Sequence, residues 1–283
     1  MTTRAATSDH CSGTVRPVSF LADTELRAVD AGRYVATLAP TWTSMVGIHG
    51  GYVAAITAQA ILTTVDDDRT LRSLNVQFVR PPSAGDIAID VDVVNSGRSM
   101  TFARATVHQR HSTVLVASAV AGSSRGGLEF DELPRPPHAG RAVPDDAERF
   151  TGPNPGQHLE QLEFRLEPGL TLFGANDVAR VAGWIRPLDI DERVTIRWLV
   201  CAADFMPPSM VFRTDRPVKA ASVDFSIQLL CHDPAAAVAP GEYVYGEMRS
   251  SISAEGFAVE DGTFWSPAGR LLATSRQLRL AGV

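Results

Sequence analysis

A glycine-rich segment before an apolar helical pattern is the first place where residue types and spacing could do chemistry. The segment is Gly47-Ile48-His49-Gly50-Gly51, and small and apolar residues follow at helical spacing over Gly51–Thr64. The N–H groups of a first helical turn have no acceptor within the helix, and glycine lets a ligand oxygen approach them closely. We therefore predict an oxyanion or substrate site at Gly50 and Gly51. His49 could bind or polarise a substrate there, and the alternative is a packed or solvated histidine.

Two other patterns suggest chemistry that their surroundings do not support. The string Gly122-Ser123-Ser124-Arg125-Gly126 matches GxSxG, but a helix must follow such a nucleophile, and a proline-rich stretch follows here. His108 and His111 could suggest a metal pair, but residues three apart on a strand point to opposite faces. We expect neither a Ser124 nucleophile nor a metal site.

The composition excludes several classes of protein. Hydrophobic residues make up 45% and charged residues 20% of the 283 residues, which favours a buried core over disorder. The net charge of -6 argues against nucleic acid as the main partner, although a local basic group could still bind an anionic small ligand. Three widely spaced cysteines indicate neither a disulfide framework nor a zinc site. No apolar stretch has the length of a membrane span, and we predict a cytoplasmic protein.

The first half of the chain predicts one strand, one helix and then four strands. Arg33–Pro40 alternates like a strand, and Gly51–Thr64 has the helical pattern. Turn residues separate the four runs that follow, which are Leu71–Val79, Ile87–Val94, Met100–Gln109 and Thr113–Ala121.

The second half repeats this order. Its predicted elements are two strands, a helix and four strands, at Leu162–Phe173, Val181–Ile185, Glu192–Phe205, Ala220–Cys231, Tyr243–Ser253, Phe257–Trp265 and Arg270–Leu280. The strings Ser73–Phe78 and Ser222–Ile227 each follow the helix of their half and alternate in the same phase. This match indicates an internal duplication.

A helix followed by an antiparallel sheet can bury its apolar face only against that sheet. We therefore predict an α+β double hotdog, which is two tandem units of a helix wrapped by an antiparallel sheet. Four successive strands without a helix contradict an α/β fold. The predicted boundaries are a loose tail over 1–17, an N-terminal hotdog over 18–122, a Pro/Gly-rich linker over 123–159 and a C-terminal hotdog over 160–283.

Seven short strings follow one another over about 20–122 and 180–280. They are Gly50-Gly51-Tyr52-Val53, Leu74-x-x-x-Phe78-x-Arg80-Pro81, Ser96-Gly97-Arg98-Ser99, Trp184-x-Arg186-Pro187, Ala203-Asp204-x-x-Pro207-Pro208, Ala221-Ser222-Val223-Asp224 and Gly269-Arg270-Leu271-Leu272-Ala273-Thr274-Ser275-x-Gln277. In this order and spacing, the chain resembles the type II acyl-CoA thioesterases, a double-hotdog family, and their actinobacterial relatives.

The resemblance implies a water-activating triad of an Asp, a Thr and a Gln. Their positions fall on Asp204, Ser222 and Gln277, and Ser222 departs from the family by keeping the hydroxyl and losing a methyl. We expect Asp204 to act as a general base on a water that Ser222 and Gln277 hold. Burial in an apolar helix should raise the pKa of Asp204. Direct attack of Asp204 on the thioester is the rival mechanism.

Further expectations concern the surroundings of the triad. Asp224 lies two residues beyond Ser222, so we expect it on the same sheet face, in a structural role that orients Ser222 or bonds across the duplication to Asn75. The same feature, a helix start whose free N–H groups could hold an oxyanion, is expected at the second helix near Asp191. Coenzyme A would bring phosphates, and the basic candidates to bind them are Arg80, Arg98, Arg186 and Lys219.

Three hypotheses for function follow. The first is an acyl-CoA thioesterase of lipid metabolism that hydrolyses medium or long acyl-CoA to fatty acid and coenzyme A, with no cofactor beyond the coenzyme A of the substrate. The second is a non-catalytic, degenerate hotdog that binds acyl groups or acyl-CoA. The third, an enoyl-thioester hydratase or dehydratase, ranks last because the loop at His49 lacks a nearby Asp. A homo-oligomer, as a dimer or tetramer, remains open.

Overall fold

The computed structural model describes residues 19–152 and 157–282. The tail predicted over 1–17, Cys11 and the linker residues 153–156 lie outside the described residues. Within the described ranges, no helix is long and apolar enough to cross a membrane.

The first half contains one long buried helix followed by four long strands, as predicted. Its elements are α1 (Phe20–Asp23), β1 (Arg27–Asp30), β2 (Arg33–Leu38), β3 (Thr43–Ser44), β4 (Gly47–Ile48), α2 (Gly50–Thr64), β5 (Thr70–Phe78), β6 (Gly85–Ser96), β7 (Met100–Gln109) and β8 (Ser112–Gly122). Helix α2 carries apolar or small residues on nearly all sides because it is enclosed by protein.

The second half repeats the order with a shorter helix. Its elements are β9 (Leu162–Leu166), β10 (Arg180–Pro187), α3 (Ile196–Phe205), α4 (Met210–Arg213), β11 (Ser222–Leu229), β12 (Val244–Ala254), β13 (Phe257–Trp265) and β14 (Leu271–Leu280). The four strands predicted after the helix are confirmed, with small differences at their ends.

One predicted strand of the second half is too long. Strand β9 ends at Leu166, not at Phe173. Pro168 has no N–H for a ladder hydrogen bond, and Gly169 adopts a φ of 88°, which turns the chain. The prediction was wrong because the apolar residues after this turn continue the alternating pattern without continuing the strand.

The predicted start of the second helix is also wrong. Helix α3 begins at Ile196, and the Thr195 side chain caps it by accepting a hydrogen bond from the Trp198 N–H at 3.3 Å. Glu192 lies before the helix, where its carboxylate accepts hydrogen bonds from the N–H groups of α1. The helix therefore begins five residues beyond Asp191.

Twelve strands form one antiparallel sheet in which the two halves are mirrored in strand order. The order is β1-β2-β6-β7-β8-β5-β11-β14-β13-β12-β10-β9. Strands β5 and β11 join the halves, and Val76 lies opposite Phe225. These two residues occupy equivalent positions in the aligned strings, so a pseudo-twofold axis passes between them. The double hotdog predicted from the sequence is confirmed.

Helices α2 and α3 pack against each other and against the inward face of this sheet. Alanines and glycines on α2 allow close approach, and Trp42 stacks on Tyr52 with ring centroids 4.5 Å apart beside the start of that helix. The segment that joins the halves crosses the outer face of the second half, where Ala139 and Ala147 are buried with Trp184. The predicted domain boundaries remain predictions.

Candidate active site

Asp204, Ser222 and Gln277 come together on the inward face of the second half. Ser222 Oγ lies 3.0 Å from Asp204 Oδ1 and 2.7 Å from Gln277 Oε1. Asp204 is near the end of α3, Ser222 begins β11, and Gln277 lies in the adjacent strand β14. The structure therefore brings together three polar groups that are 18 and 55 residues apart in sequence.

A β-bulge aims Ser222 at the other two. Ser222 lies opposite Arg279 and Asp224 lies opposite Leu278, so Val223 is an extra residue on β11. The bulge reverses the alternation of side chains, and Ser222 shares the inward face with Gln277 while Asp224 does not. The expectation that Asp224 shares the face of Ser222 was therefore wrong.

The predicted partner of Asp224 also differs. Asp224 lies opposite Gln77, and Asn75 lies opposite Ser226. Asn75 is the pseudo-twofold equivalent of Asp224 and not its neighbour across the join.

Hydrogen bonds fix the direction of the Gln277 amide. Its Nε2 donates to the Ala203 carbonyl at 3.1 Å, so its Oε1 faces Ser222. A hydroxyl has one proton, and Ser222 can donate it to Gln277 or to Asp204 but not to both. The Ser222 hydroxyl can therefore switch its proton between these two acceptors.

The glycines at the start of α2 are required by the close packing of the two helices. A Cβ at position 51 would lie 2.8 Å from the Cys201 carbonyl oxygen and 2.9 Å from Asp204 Cβ. A Cβ at Gly50 would lie 3.1 Å from Asp204 Oδ2. The Gly51 N–H donates to the Asp204 carboxylate, so the positive end of the α2 dipole is directed at that side chain.

His49 caps α2 and faces Asp204. Its Nδ1 accepts a hydrogen bond from the Tyr52 N–H at 3.2 Å, and its Nε2 lies 3.1 Å from the Asp204 carbonyl oxygen. Nδ1 is therefore unprotonated and Nε2 carries the proton. Burial lowers the pKa of His49 to about 4, so the ring is neutral near pH 7.

His158, which the sequence did not single out, covers His49. The two rings stack with centroids 4.8 Å apart, and His158 also contacts the edge of Phe205. Burial, followed by the neighbouring His49, lowers the pKa of His158 to about 3. His158 comes from the segment that joins the two halves, in a stretch without periodicity that could have revealed it.

Arg279 and Glu260 were also missed. Arg279 Nη1 donates to Ser222 Oγ at 2.9 Å, and its Nε donates to Glu260 Oε2 at 2.5 Å. Arg279 lies two residues beyond Gln277 on β14, so the period of a strand could have placed both on one face. The partner Glu260 could be found only from the order of the strands.

Burial raises the pKa of Asp204, as predicted. The Arg279 guanidinium, the Ser222 hydroxyl and the Gly51 N–H act in the opposite direction. The carboxylate thus lies in a site that penalises its charge and supplies three groups that stabilise it.

The four predicted phosphate-binding cations lie in different parts of the molecule. Arg80 is exposed two residues after Phe78, whose ring adjoins Gly50, and Lys219 is exposed three residues before Ser222. Arg98 lies in the turn between β6 and β7. Arg69, which follows the C-terminal end of α2, donates a hydrogen bond to the Gly97 carbonyl in this turn. The turn therefore lies near the end of α2 that is roughly 22 Å from its start at Gly50.

Arg186 is occupied on the outer side of the sheet. Its guanidinium pairs with Glu163 at 2.5 Å and lies 4.8 Å from the centre of the Tyr243 ring. The structure therefore leaves Arg80 and Lys219 exposed and close in sequence to residues of the site, and it places Arg98 and Arg186 away from the triad.

Two other features can be placed. Ser124 is exposed in a segment that has no helix over 123–136, so a nucleophile elbow is not formed there. Among residues 19–152 and 157–282, no group of three or more His, Cys, Asp or Glu side chains could hold a metal ion.

Family models match both halves of the chain. The model described as "Acyl-CoA thioesterase N-terminal domain" matches residues 38–122, and the model described as "Acyl-CoA thioesterase C-terminal domain" matches residues 134–281. No curated protein sequence matches the chain significantly.

Solved structures of similar shape cover nearly the whole chain. A protein of unknown function with a hot dog fold from Alicyclobacillus acidocaldarius is 25% identical, with a TM-score of 0.83 over 93% of this chain and 98% of that chain. The tesB protein of Mycobacterium avium subs paratuberculosis is 21% identical, with a TM-score of 0.73 over 93% and 98%. Acyl-CoA thioesterase II TesB2 from Mycobacterium marinum is 17% identical, with a TM-score of 0.69 over 93% and 98%. The last two likenesses concern the fold alone.

Proposed function

This chain belongs to the acyl-CoA thioesterase family, and we propose that it hydrolyses medium-chain or long-chain acyl-CoA to a free fatty acid and coenzyme A. The observation that carries the proposal is the contact of Asp204, Ser222 and Gln277 at hydrogen-bond distance on one face. A cytoplasmic location, a role in lipid metabolism and a homo-oligomer stay predictions.

In the proposed reaction Asp204 removes a proton from a water whose oxygen attacks the thioester carbonyl carbon. Ser222 and Gln277 orient this water, which approaches from the side where Ser222 is partly exposed. The carbon–sulfur bond then breaks, and Asp204 returns its proton to the departing thiolate. The reaction consumes one water and needs no oxidant or metal.

The start of α2 supports the stabilisation of the developing oxyanion. The N–H groups of its first turn have no acceptor within the helix, and Gly50 is partly exposed. Since Gly51 donates to Asp204, we assign the oxyanion to Gly50 and the orientation of the carboxylate to Gly51. His49 remains neutral and holds both in place as the helix cap.

The medium or long chain length in this proposal rests on the family resemblance, and the cavity that the structure shows in the second half is lined by residues other than Asp204, Ser222 and Gln277. The cavity has a volume of about 730 Å³, which lies within the usual range of small-ligand sites. Met210, Val218, Ile252 and Ala281 supply apolar surface to it. Activity limited to acetyl-CoA and other short substrates would contradict this assignment.

The test is a panel of acyl-CoA substrates with a thiol reagent, on the wild type and on Asp204→Asn. We expect thiol release by the wild type and a fall in kcat of about 10²–10⁴-fold in the variant, because a general base contributes that much. Asp224→Asn is the matched control, since Asp224 lies on the opposite face of β11, and it should retain activity.

Two outcomes would overturn the proposal. Full activity in Asp204→Asn would exclude this carboxylate as the base. Thermal stabilisation of the wild type by acyl-CoA without any thiol release would favour the binding protein.

A further inference from the structure

We propose that Arg279, clamped by Glu260, is a positioning residue that holds the Ser222 hydroxyl and keeps the Asp204 carboxylate negatively charged. The inference rests on the proposed function, because it assigns Arg279 a part in the same hydrolysis. Arg279 acts through Ser222 and Asp204 and touches neither water nor substrate.

The guanidinium of Arg279 is held in one orientation. The side chain is only 3% exposed, and its Nε donates to Glu260 Oε2 at 2.5 Å. Glu260 is fully buried, and its other oxygen accepts the Ser209 N–H at 2.5 Å. Because both carboxylate oxygens are occupied, Glu260 cannot turn away, and Arg279 is fixed by a charge-assisted hydrogen bond.

This orientation determines what the Ser222 hydroxyl can do. Arg279 Nη1 donates to Ser222 Oγ at 2.9 Å and so occupies one of its lone pairs. The hydroxyl proton then points away from Arg279, toward Asp204 Oδ1 and Gln277 Oε1. Arg279 therefore directs Ser222 to donate into the triad.

The third nitrogen of Arg279 faces Asp204. Nη2 lies 3.6 Å from Asp204 Oδ1, which is too far for a good hydrogen bond but close enough for a strong attraction between charges. Within the part of the chain that the structure describes, this buried nitrogen has no hydrogen-bond partner. Its position is explained by the charge of the carboxylate.

The other titratable groups that face Asp204 supply no positive charge near pH 7. Burial lowers the pKa of His49 on the cap of α2 to about 4 and that of His158 on the joining segment to about 3. Cys201, one turn earlier on α3, is a buried thiol whose pKa is raised by burial. Among the described groups around Asp204, Arg279 is therefore the cation that offsets its burial.

A second ion pair on the same two strands provides a matched control. Arg276 pairs with Asp261 at 2.6 Å, again between β14 and β13, but on the outer face. These side chains are 68% and 46% exposed and make no contact with the triad. Removing this pair tests the loss of an arginine from β14 without touching Asp204.

The experiment compares Arg279→Met with Arg276→Met in the pH dependence of kcat/KM for one acyl-CoA. We expect the acid limb of Arg279→Met to move up by about 1–3 pH units, the range over which a close opposite charge shifts a carboxyl. Arg276→Met should keep the wild-type limb. Arg279→Lys should restore much of the limb but not the full kcat, since an ammonium cannot contact Glu260 and Ser222 as a fork does.

Loss of Arg279 leaves Glu260 buried without its partner, which could prevent folding. The double variant Arg279→Met/Glu260→Leu removes both charges and is expected to show the same upward movement of the acid limb. A fall in kcat/KM by the same factor at every pH, with an unmoved limb, would overturn the inference and leave Arg279 a structural role.

A readout without turnover separates this inference from the proposed function. The Asp204 carboxyl can be titrated by NMR in protein labelled with ¹³C at the aspartate carboxyls, with Asp204→Asn identifying the signal. We expect its midpoint to rise in Arg279→Met and to stay in Arg276→Met. If the wild type releases no thiol but the midpoint rises in Arg279→Met, the proposed function alone is contradicted. Equal midpoints in the wild type and Arg279→Met would contradict the inference alone.

Discussion

The two halves of the sheet place different residues at equivalent positions. Val76 in the first half lies opposite Ala117, and its equivalent Phe225 lies opposite Gln277. Ala117 and Gln277 are both buried and both face inward. The same position therefore holds a methyl group in one half and a hydrogen-bonding amide in the other.

The difference extends to the neighbouring positions. Two residues along the same strands, the first half has Ala119 where the second has Arg279. On the next strand, Ala105 lies opposite Ala117, whereas Glu260 lies opposite Gln277. Three alanines in one half thus correspond to the amide and the ion pair of the other.

This asymmetry shows how a duplicated fold can form one polar site. Buried polar and charged groups are costly unless they are paired, and the second half contains a connected set that pairs its groups except Arg279 Nη2, which faces the Asp204 carboxylate. The first half keeps a dry, tightly packed face and contributes the start of α2, whose Gly51 N–H reaches Asp204. Each half supplies what the other lacks.

The largest expected effect concerns His49 and His158, the two stacked histidines beside the contact between the start of α2 and Asp204. Their folded pKa values, about 4 for His49 and about 3 for His158, lie below the ordinary value of 6.5. The unfolded chain therefore binds protons first as the pH falls, and the free energy of unfolding should decrease below pH 6.5. The loss by pH 4 should be on the order of 3 kcal/mol for His49, with a similar contribution from His158.

Urea unfolding at several pH values between 7.5 and 4 measures this dependence. His49→Asn should flatten it, because asparagine can still cap α2 but does not titrate in this range. The raised pKa of Asp204 acts in the opposite direction, since the folded state takes up that proton first. His108→Asn is the control at a partly exposed histidine, and an unchanged slope in His49→Asn would contradict the assignment.

A smaller effect is expected from exchanging the equivalent residues between the halves. Gln277→Ala should lower kcat by about 10–100-fold, because the Ser222 hydroxyl loses its partner at 2.7 Å and the attacking water loses one of the two groups proposed to orient it. Ala117→Gln should leave kcat within a few-fold and instead lower stability by about 1–3 kcal/mol, since it buries an amide without partners. Acyl-CoA assays and chemical unfolding of both variants measure the two results. Equal effects on kcat would show that the halves do not differ in function as proposed.

Much of the fold could be predicted because alternation and helical spacing record which side chains are buried. The four strands after each helix and the α+β double hotdog follow from these patterns, and Asp204, Ser222 and Gln277 follow from the family resemblance. Strand β9 was predicted too long because an alternating pattern does not show a turn such as that at Gly169.

The rest of the site depends on contacts that no local pattern contains. The bulge at Val223 depends on how β11 pairs with β14, and it alone reverses the faces of Ser222 and Asp224. Glu260 becomes the partner of Arg279 only when β13 is known to lie beside β14. If β13 and β14 were paired in a different register, Arg279 and Glu260 would not meet, and a charge would lie in solvent.

The smallest expected effect distinguishes the two equivalent serines that begin the aligned strings, Ser222 and Ser73. Ser222→Thr adds the methyl that the resembled family has, and a β-branched side chain has fewer rotamers to lose when its hydroxyl is held. We expect kcat to rise by about twofold, which corresponds to a few tenths of a kcal/mol. Ser73→Thr should leave kcat unchanged, because that serine lies opposite Val120 and has no carboxylate to meet.

Ser222→Val separates the methyl from the hydroxyl. It has nearly the shape of threonine but cannot donate to Asp204 or accept from Arg279, so kcat should fall well below that of the wild type. Steady-state assays with one acyl-CoA at the pH optimum suffice for all three variants. If Ser222→Thr and Ser222→Val were equally impaired, the added methyl would be the cause. The site would then require a serine at position 222 for its small size and not for the hydrogen bonds of its hydroxyl.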